Sequence, residues 1–291
     1  MKKKIMAIIA GILSAVTLFA FVGCGNKNTE KNILVVCREA SSGTREAFDK
    51  FVGLKADEIT SDKEEYGSTG NVREKVSSTE TAIGYISLAS VNDSVKVLTV
   101  DGVEATEDNV RAGKYKIQRP FLLLTSKSVT LQPAAQDFFN YCMSKTAKSG
   151  ITATNGILTA DFDSRSEYTV PKNALSGDVI VKGSTSMQDM MEKLIADYQK
   201  LLGDKAKDVK FTFGFNGSSE GRTLAKNDTN GTSIGVASSS SPDEAYTETT
   251  LCLDAVAVIV NKNNDKISDI NAAILKDIYT GKIKKFSEIK G

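Results

Sequence analysis

The chain has 291 residues, 41% of them hydrophobic and 25% charged, enough for one large or two medium domains with a substantial core. Its 37 basic and 36 acidic side chains leave a formal charge of +1, which excludes a polybasic surface for nucleic acid. There is no histidine, so the commonest general base and the commonest metal ligand are both missing.

Lys2, Lys3 and Lys4 precede an apolar run over residues 5–22, and Gly23-Cys24 closes it. Residues 1–23 read as an export signal, although the run is also long enough for a membrane span. The Gly-Cys junction and the polar stretch after it resemble a bacterial lipoprotein signal. That implies lipidation of Cys24 and a short tether over residues 24–31. Residues 32–37 (NILVVC) then read as a buried strand and 44–52 as a helix with Ala47, Phe48, Phe51 and Val52 on one side. Residues 82–88 and 95–100 read as strands, and 136–144 as a helix. Over 152–178 the apolar signal thins to Thr, Ser, Asn, Asp, Gly and Pro171, the pattern of a linker. The alternation resumes with a strand at 179–182 and a long helix whose one side carries Met187, Met190, Met191, Leu194, Ile195, Tyr198, Leu201 and Leu202. Phe211, Phe213 and Phe215 alternate as in a half-buried strand, 255–260 reads as a central strand, and 270–279 as a last helix ended by Gly281. Strands alternating with helices predict an α/β protein with mainly parallel sheets. Cys37, Cys142 and Cys252 each sit in an apolar run, which predicts buried free thiols, and no cysteine spacing suggests a metal site.

Four strand ends run into turns rich in glycine and serine: Ser41-Ser42-Gly43-Thr44, Gly183-Ser184-Thr185-Ser186, Asn216-Gly217-Ser218-Ser219 and Ser238-Ser239-Ser240-Ser241. Each is expected to open a helix. One reading is N-capping, worth about 1 kcal/mol per cap in any α/β protein. The other is anion binding, because a helix start exposes unpaired N–H groups and glycine lets an ion approach them. Ligands of open α/β sheets sit beyond the carboxyl ends of the strands, where all four turns fall. The turns come from both halves of the chain, so the pattern predicts a cleft lined with N–H and O–H donors. Arg38 adds a guanidinium fork suited to phosphate or carboxylate, with a salt bridge to Glu39 as the alternative. Arg45, one residue into the helix, is expected to face solvent. A hydrolase would need Ser42 or Ser184 as nucleophile, but no histidine and no G-x-S-x-G elbow is present, and Lys182 is the one base close to Ser184.

Several segments resemble one family. REASSGTREAF (38–48), AIGYISL (82–88), GKYKIQRPF (113–121), VKGSTSMQDMMEKL (181–194), FNGSSEG (215–221), SIGVASSSSPDE (233–244), LDAVAVIVN (253–261) and IYTGKIKKFSEIKG (278–291) are similar to motifs of the phosphate-binding receptors of bacterial ABC transporters. Their order differs from the usual one, as in a circular permutation, with 152–178 joining the family's usual termini and Gly291 near Asn32. The resemblance implies a periplasmic-binding-protein-like (type II) clamshell whose two lobes share a two-strand hinge. One lobe would take 32–118 plus 263–291 and the other 119–262. It implies no enzyme activity, no cofactor and no metal. It also implies a monomer held outside the cytoplasm by lipid at Cys24, which captures inorganic phosphate for the permease subunits. Anion contacts fall on Arg38, Ser42, Gly43 and Thr44 from one lobe, and on Thr185, Ser186 and Ser218 from the other, with Ser238 and Ser239 nearby. The sequence departs at Ala40, where some members carry an acid, and at Ser239, where some carry Asp and others Arg. Glu39 and Glu220 are then the candidate acceptors. Another oxyanion such as sulfate, or a surface or sensory protein that kept the fold, stays open.

Overall fold

Short apolar runs become strands, and the amphipathic segments between them become helices that cover the sheet. A computed structural model describes residues 30–289 of the chain. The export signal, Cys24 with most of its tether, and Gly291 lie outside the described residues. In chain order the elements are β1 (Leu34–Arg38), α1 (Gly43–Val52), β2 (Glu64–Tyr66), α2 (Thr69–Ser78), β3 (Ala82–Ser87), β4 (Val95–Val97), β5 (Thr99–Val100), α3 (Glu107–Arg111), β6 (Gln118–Ser126), α4 (Pro133–Cys142) and α5 (Lys148–Ala153). There follow β7 (Ser176–Gly183), α6 (Gln188–Leu202), β8 (Asp208–Gly214), α7 (Ser218–Asn227), β9 (Ser233–Ala237), β10 (Tyr246–Asn261), β11 (Asp269–Ile270) and α8 (Ala272–Tyr279).

The large sheet has the order β2-β1-β3-β10-β6-β9-β7-β8, with β4 also on β10. Its two flanks are parallel: β1 with β2 and β3, and β7 with β8 and β9. The middle is antiparallel, because β10 runs against β3, β4 and β6, and β6 against β9. At 16 residues β10 is long enough to change partners along its length: Tyr246 to Ala255 face β6, and Val256 to Val260 face β3. Ala255 to Val260 are all buried, which accounts for their unbroken apolar run.

Two main clusters of buried side chains lie along this sheet. One spans residues 121–252 and packs Met191, Leu194 and Tyr198 of α6 against Phe138 of α4. The other draws on residues 35–117 and 255–286, with Phe48 stacked on Tyr85 at 4.0 Å and Tyr279 of α8 beside both. The end of the chain thus completes a core begun at its start, and the Ile33 N–H donates to the Lys284 carbonyl at 2.7 Å.

Several expectations need adjusting. The strand predicted at 95–100 is two strands, because the chain leaves β10 after Val97 and Thr99 to Val100 pair with β11 instead. Phe213 is 47% exposed, since β8 is an edge strand with one open face. The last helix starts at Ala272, where the Asn271 side chain caps it by accepting from the Ile274 N–H. Within 152–178, Ile157 bridges to Leu253, and Leu158 and Phe162 are buried in the first core. Cys37, Cys142 and Cys252 are buried free thiols, as their apolar settings predict.

Candidate functional site

Each serine-rich turn has its own local cause. Ser42 caps α1, its Oγ accepting from the N–H groups of Thr44 and Arg45. Ser184 caps a 3-10 turn over Thr185–Met187, accepting from the Ser186 N–H. Gly217 takes a φ of 129°, in the region that favours glycine, just ahead of α7. The fourth turn opens no helix, contrary to expectation. Ser240 Oγ and the Ser241 N–H bind the Glu248 carboxylate on β10, and Pro242 disfavours helical backbone at Ser241, so the chain runs on as a loop.

All four turns meet. Thr44 Oγ1 lies 3.0 Å from Ser186 Oγ, Ser184 Oγ donates to Ser238 Oγ at 2.9 Å, and Ser218 Oγ is 3.2 Å from Ser238 Oγ. Gly43 sits where a Cβ would come within 2.7 Å of Ser239 Oγ, 2.8 Å of Ser238 Oγ and 3.0 Å of Ser218 Oγ. Arg38, Ser42, Gly43, Thr44, Thr185, Ser186, Ser218, Ser238 and Ser239 are therefore all buried in one continuous cluster.

Arg38 makes the salt bridge given as the alternative. Its Nε and Nη2 grip the two oxygens of Glu39 at 2.9 and 2.7 Å, while Nη1 donates to Thr69 Oγ1 at 2.9 Å. Thr69, at the start of α2, lies 3.2 Å from Ser186 Oγ and 3.3 Å from Thr185 Oγ1, which ties the arginine to the cluster. Arg45 does not face solvent. It is buried, bonded to Asp49 one turn on, to Glu65 of β2 and to the Arg38 carbonyl. Glu220 turns back to accept from Asn216, and of the two candidate acceptors only Glu39 borders the cluster.

The centre of the cluster is a residue the turn pattern does not reveal. Arg119 on β6 and Asp254 on β10 face each other in register. Arg119 Nε donates to Asp254 Oδ2 at 2.9 Å, and Nη2 lies 2.8 Å from the same oxygen. Nη1 donates to Thr44 Oγ1 at 2.9 Å and to Ser238 Oγ at 3.1 Å, and Nη2 to Ser186 Oγ at 3.1 Å. Ser87 Oγ and the Ala89 N–H complete the shell of Asp254. Burial raises the Asp254 carboxyl above the usual carboxylate range, with Arg119 pulling it back; burial lowers the Arg119 guanidinium, with Asp254 opposing. A signal was present, since each is a lone charge inside an apolar run (QRPFLLL and CLDAVAV), the same feature that singles out Arg38.

An open cavity of about 440 Å³ borders Arg119 and Ser239, with Glu46, Lys50, Phe51, Lys116 and Ser240 on its wall. A larger one, about 540 Å³, lies along α7 by Lys182, Glu220, Thr223 and Asn230, and neither Arg38 nor Arg119 lines it.

The profile of the PBP superfamily domain matches residues 10–146 and 169–291. Phosphate-binding protein PstS 2 of Streptococcus pneumoniae serotype 4 (strain ATCC BAA-334 / TIGR4) is 36% identical over 306 residues, covering 100% of both chains. Phosphate-binding protein PstS of Bacillus subtilis (strain 168) is 30% identical over 44% of this chain and 42% of its own. A crystal structure of a phosphate-binding protein of a phosphate ABC transporter from S. pneumoniae TIGR4 matches with a TM-score of 0.69 at 36% identity, covering 89% of this chain and 100% of that one. By the profile match and the full-length identity, the chain belongs to the PBP superfamily, with the two-lobed α/β fold of periplasmic binding proteins.

Proposed function

We propose that this protein is an extracytoplasmic receptor that captures inorganic phosphate and presents it to the permease subunits of an ABC transporter, held to the membrane by lipid on Cys24. One observation carries the reading: the hydroxyls of Ser218, Ser238 and Ser239 from one half of the chain converge on Gly43 of the other, in a cluster that holds two buried arginines, each neutralised by one carboxylate. Before a ligand arrives the charges balance, so an anion meets dipoles and a guanidinium edge without a standing excess of positive charge to solvate. The starts of α1 and α7 and the Thr185–Met187 turn all contribute residues to this cluster, and helix starts carry N–H groups suited to an anion. Removing water from such donors strengthens each bond to the ion.

In this reading Arg38, Ser42, Gly43 and Thr44 bind from one lobe, and Thr185, Ser186, Ser218, Ser238 and Ser239 from the other. Arg119 is fully engaged with Asp254, Thr44, Ser186 and Ser238, so it acts by orienting those hydroxyls. The lobes are 32–118 with 263–291, and 119–262; the two cores follow this division except that Ile157 and 255–260 pack in the core of the first lobe. β6 and β10 serve as the hinge, and closure changes the face offered to the transporter. The bond between Ile33 and Lys284, which brings the two ends of the described chain together, supports the permuted order, with 152–178 joining the former ends. The reading is capture and not chemistry, because Glu39 and Asp254 beside the cluster are held in ion pairs with arginines and bond to none of the serines proposed as anion contacts.

Titration calorimetry tests it. One phosphate should bind per chain, and Arg38→Ala should weaken binding by about 2–5 kcal/mol, thirtyfold or more, with the circular dichroism spectrum unchanged. Undiminished affinity in that variant removes Arg38 from the site, and hydrolysis of phosphate esters by the pure protein overturns the non-catalytic reading.

A further inference from the structure

A fifth turn has the composition of the other four. Gly67-Ser68-Thr69-Gly70 follows β2 and opens α2, where the Ser68 hydroxyl caps the helix by accepting from the Asn71 N–H. Strand pairing decides where this turn falls. Tyr66 of β2 lies opposite Arg38 of β1, so the chain leaves the sheet beside the buried guanidinium. The Tyr66 carbonyl accepts from Arg38 Nε at 3.3 Å, the Gly67 carbonyl from Nη2 at 3.4 Å, and Thr69 Oγ1 from Nη1 at 2.9 Å.

Arginine carries its N–H donors in a rigid planar fork. On Arg38 the Nε hydrogen is shared between Glu39 and the Tyr66 carbonyl, and Nη2 serves Glu39 and the Gly67 carbonyl. Nη1 spends one of its hydrogens on Thr69. Among the described residues, the second Nη1 hydrogen is the one left over, and the plane of the fork fixes its direction once the Thr69 bond is made. Thr69 also reaches the other half of the chain. Its Oγ1 lies 3.2 Å from Ser186 Oγ and 3.3 Å from Thr185 Oγ1, and its N–H donates to Thr185 Oγ1 at 3.4 Å. One buried hydroxyl thus holds the arginine and meets the Thr185–Met187 turn.

Resting on the receptor reading above and its two lobes, we infer that Thr69 is a positioning residue for phosphate capture: its hydroxyl aims the remaining N–H of Arg38 at the ligand and ties that arginine to the opposite lobe when the lobes close. A valine in its place keeps the volume but offers Nη1 no acceptor, so the guanidinium loses the bond that sets its angle. The contacts with Thr185 and Ser186 cross between the lobes and form on closure. Losing them shortens the time phosphate stays bound and leaves its arrival unchanged.

Calorimetry with inorganic phosphate, beside the release kinetics of radiolabelled phosphate, tests it on the full chain. Thr69→Val should weaken binding about tenfold or more, with the loss in the release rate. Thr69→Ser keeps the hydroxyl and should restore most of the affinity. In an Arg38→Met background, Thr69→Val should change the affinity less than about twofold, because the arginine it acts through is gone. A merely structural role would cost the same factor in both backgrounds, and that result overturns the inference. So does Thr69→Ser binding as weakly as Thr69→Val. A loss confined to the association rate removes the tie to the opposite lobe. If Thr69→Val binds phosphate as the wild type does, the inference fails and the receptor reading stands. If the wild-type chain binds no phosphate, the receptor reading fails and takes the inference with it.

Discussion

Asp254→Asn tests the ion pair at the heart of the cluster. Asp254 is 0% exposed and Arg119 4% exposed, and they are joined at 2.8–2.9 Å. Replacing the carboxylate leaves Arg119 buried with no counter-charge, and arginine cannot shed its proton. The expected loss is about 3–5 kcal/mol. Arg119→Met leaves the opposite orphan, a buried carboxylate, which can take up a proton. It should cost less, and its cost should depend on pH. Burial already raises the Asp254 carboxyl, and Arg119 is the main influence holding it down. A carboxyl raised in the folded state stabilises the fold while protonated, and that contribution is lost as pH rises through the folded value. The Arg119→Met deficit should therefore grow as pH rises from about 4 toward neutrality. Urea denaturation of both variants at about pH 5 and pH 7.5 measures the effect, and added phosphate should restore more stability to Asp254→Asn than to the wild type. A loss under about 1 kcal/mol in Asp254→Asn, or a pH-independent deficit in Arg119→Met, would refute the reasoning.

Other outcomes are equally accessible. Gly43→Ala puts a methyl within 2.7–3.0 Å of three serine oxygens and should weaken phosphate binding about tenfold or more, while the fold keeps its stability because alanine suits a helix start; calorimetry beside urea denaturation separates the two effects. In a Cys24→Ser chain, burial pushes the Cys37 thiol up to about 12 and raises Cys142 and Cys252 further, so a thiol reagent should label none of them in native protein and all three in urea. Rapid native labelling would contradict the packing around them. Asp137 accepts from both Tyr168 and Tyr198, so Asp137→Ala leaves two hydroxyls unpartnered and should cost about 1–3 kcal/mol in urea denaturation, with Asp137→Asn recovering part of it. A loss below about 0.5 kcal/mol would show that Tyr168, and the 152–178 segment around it, does not depend on that anchor.

By itself the sequence determined whatever depends on neighbours a few positions apart. The caps at Ser42 and Ser184, the helix that follows Gly43, the amphipathic face of α6 apart from the exposed Leu201, and the three buried thiols were legible, because capping and periodicity act within one or two turns of chain. Resemblance named nine residues that the fold gathers into one buried cluster, but spacing alone could not say that their turns meet. Arg45 shows the limit, since half of its setting is Glu65, twenty residues away on a strand that only tertiary pairing brings alongside. Arg119 and Asp254 show it more sharply: they are 135 residues apart and joined by the register of two antiparallel strands, where a slip of one residue would turn either charge to the opposite face. The bonds inside the cluster were likewise decided by the fold. A serine in a sequence is donor and acceptor alike, and only the groups packed against it, such as Arg119 against Ser186 and Ser238, set which of its bonds form.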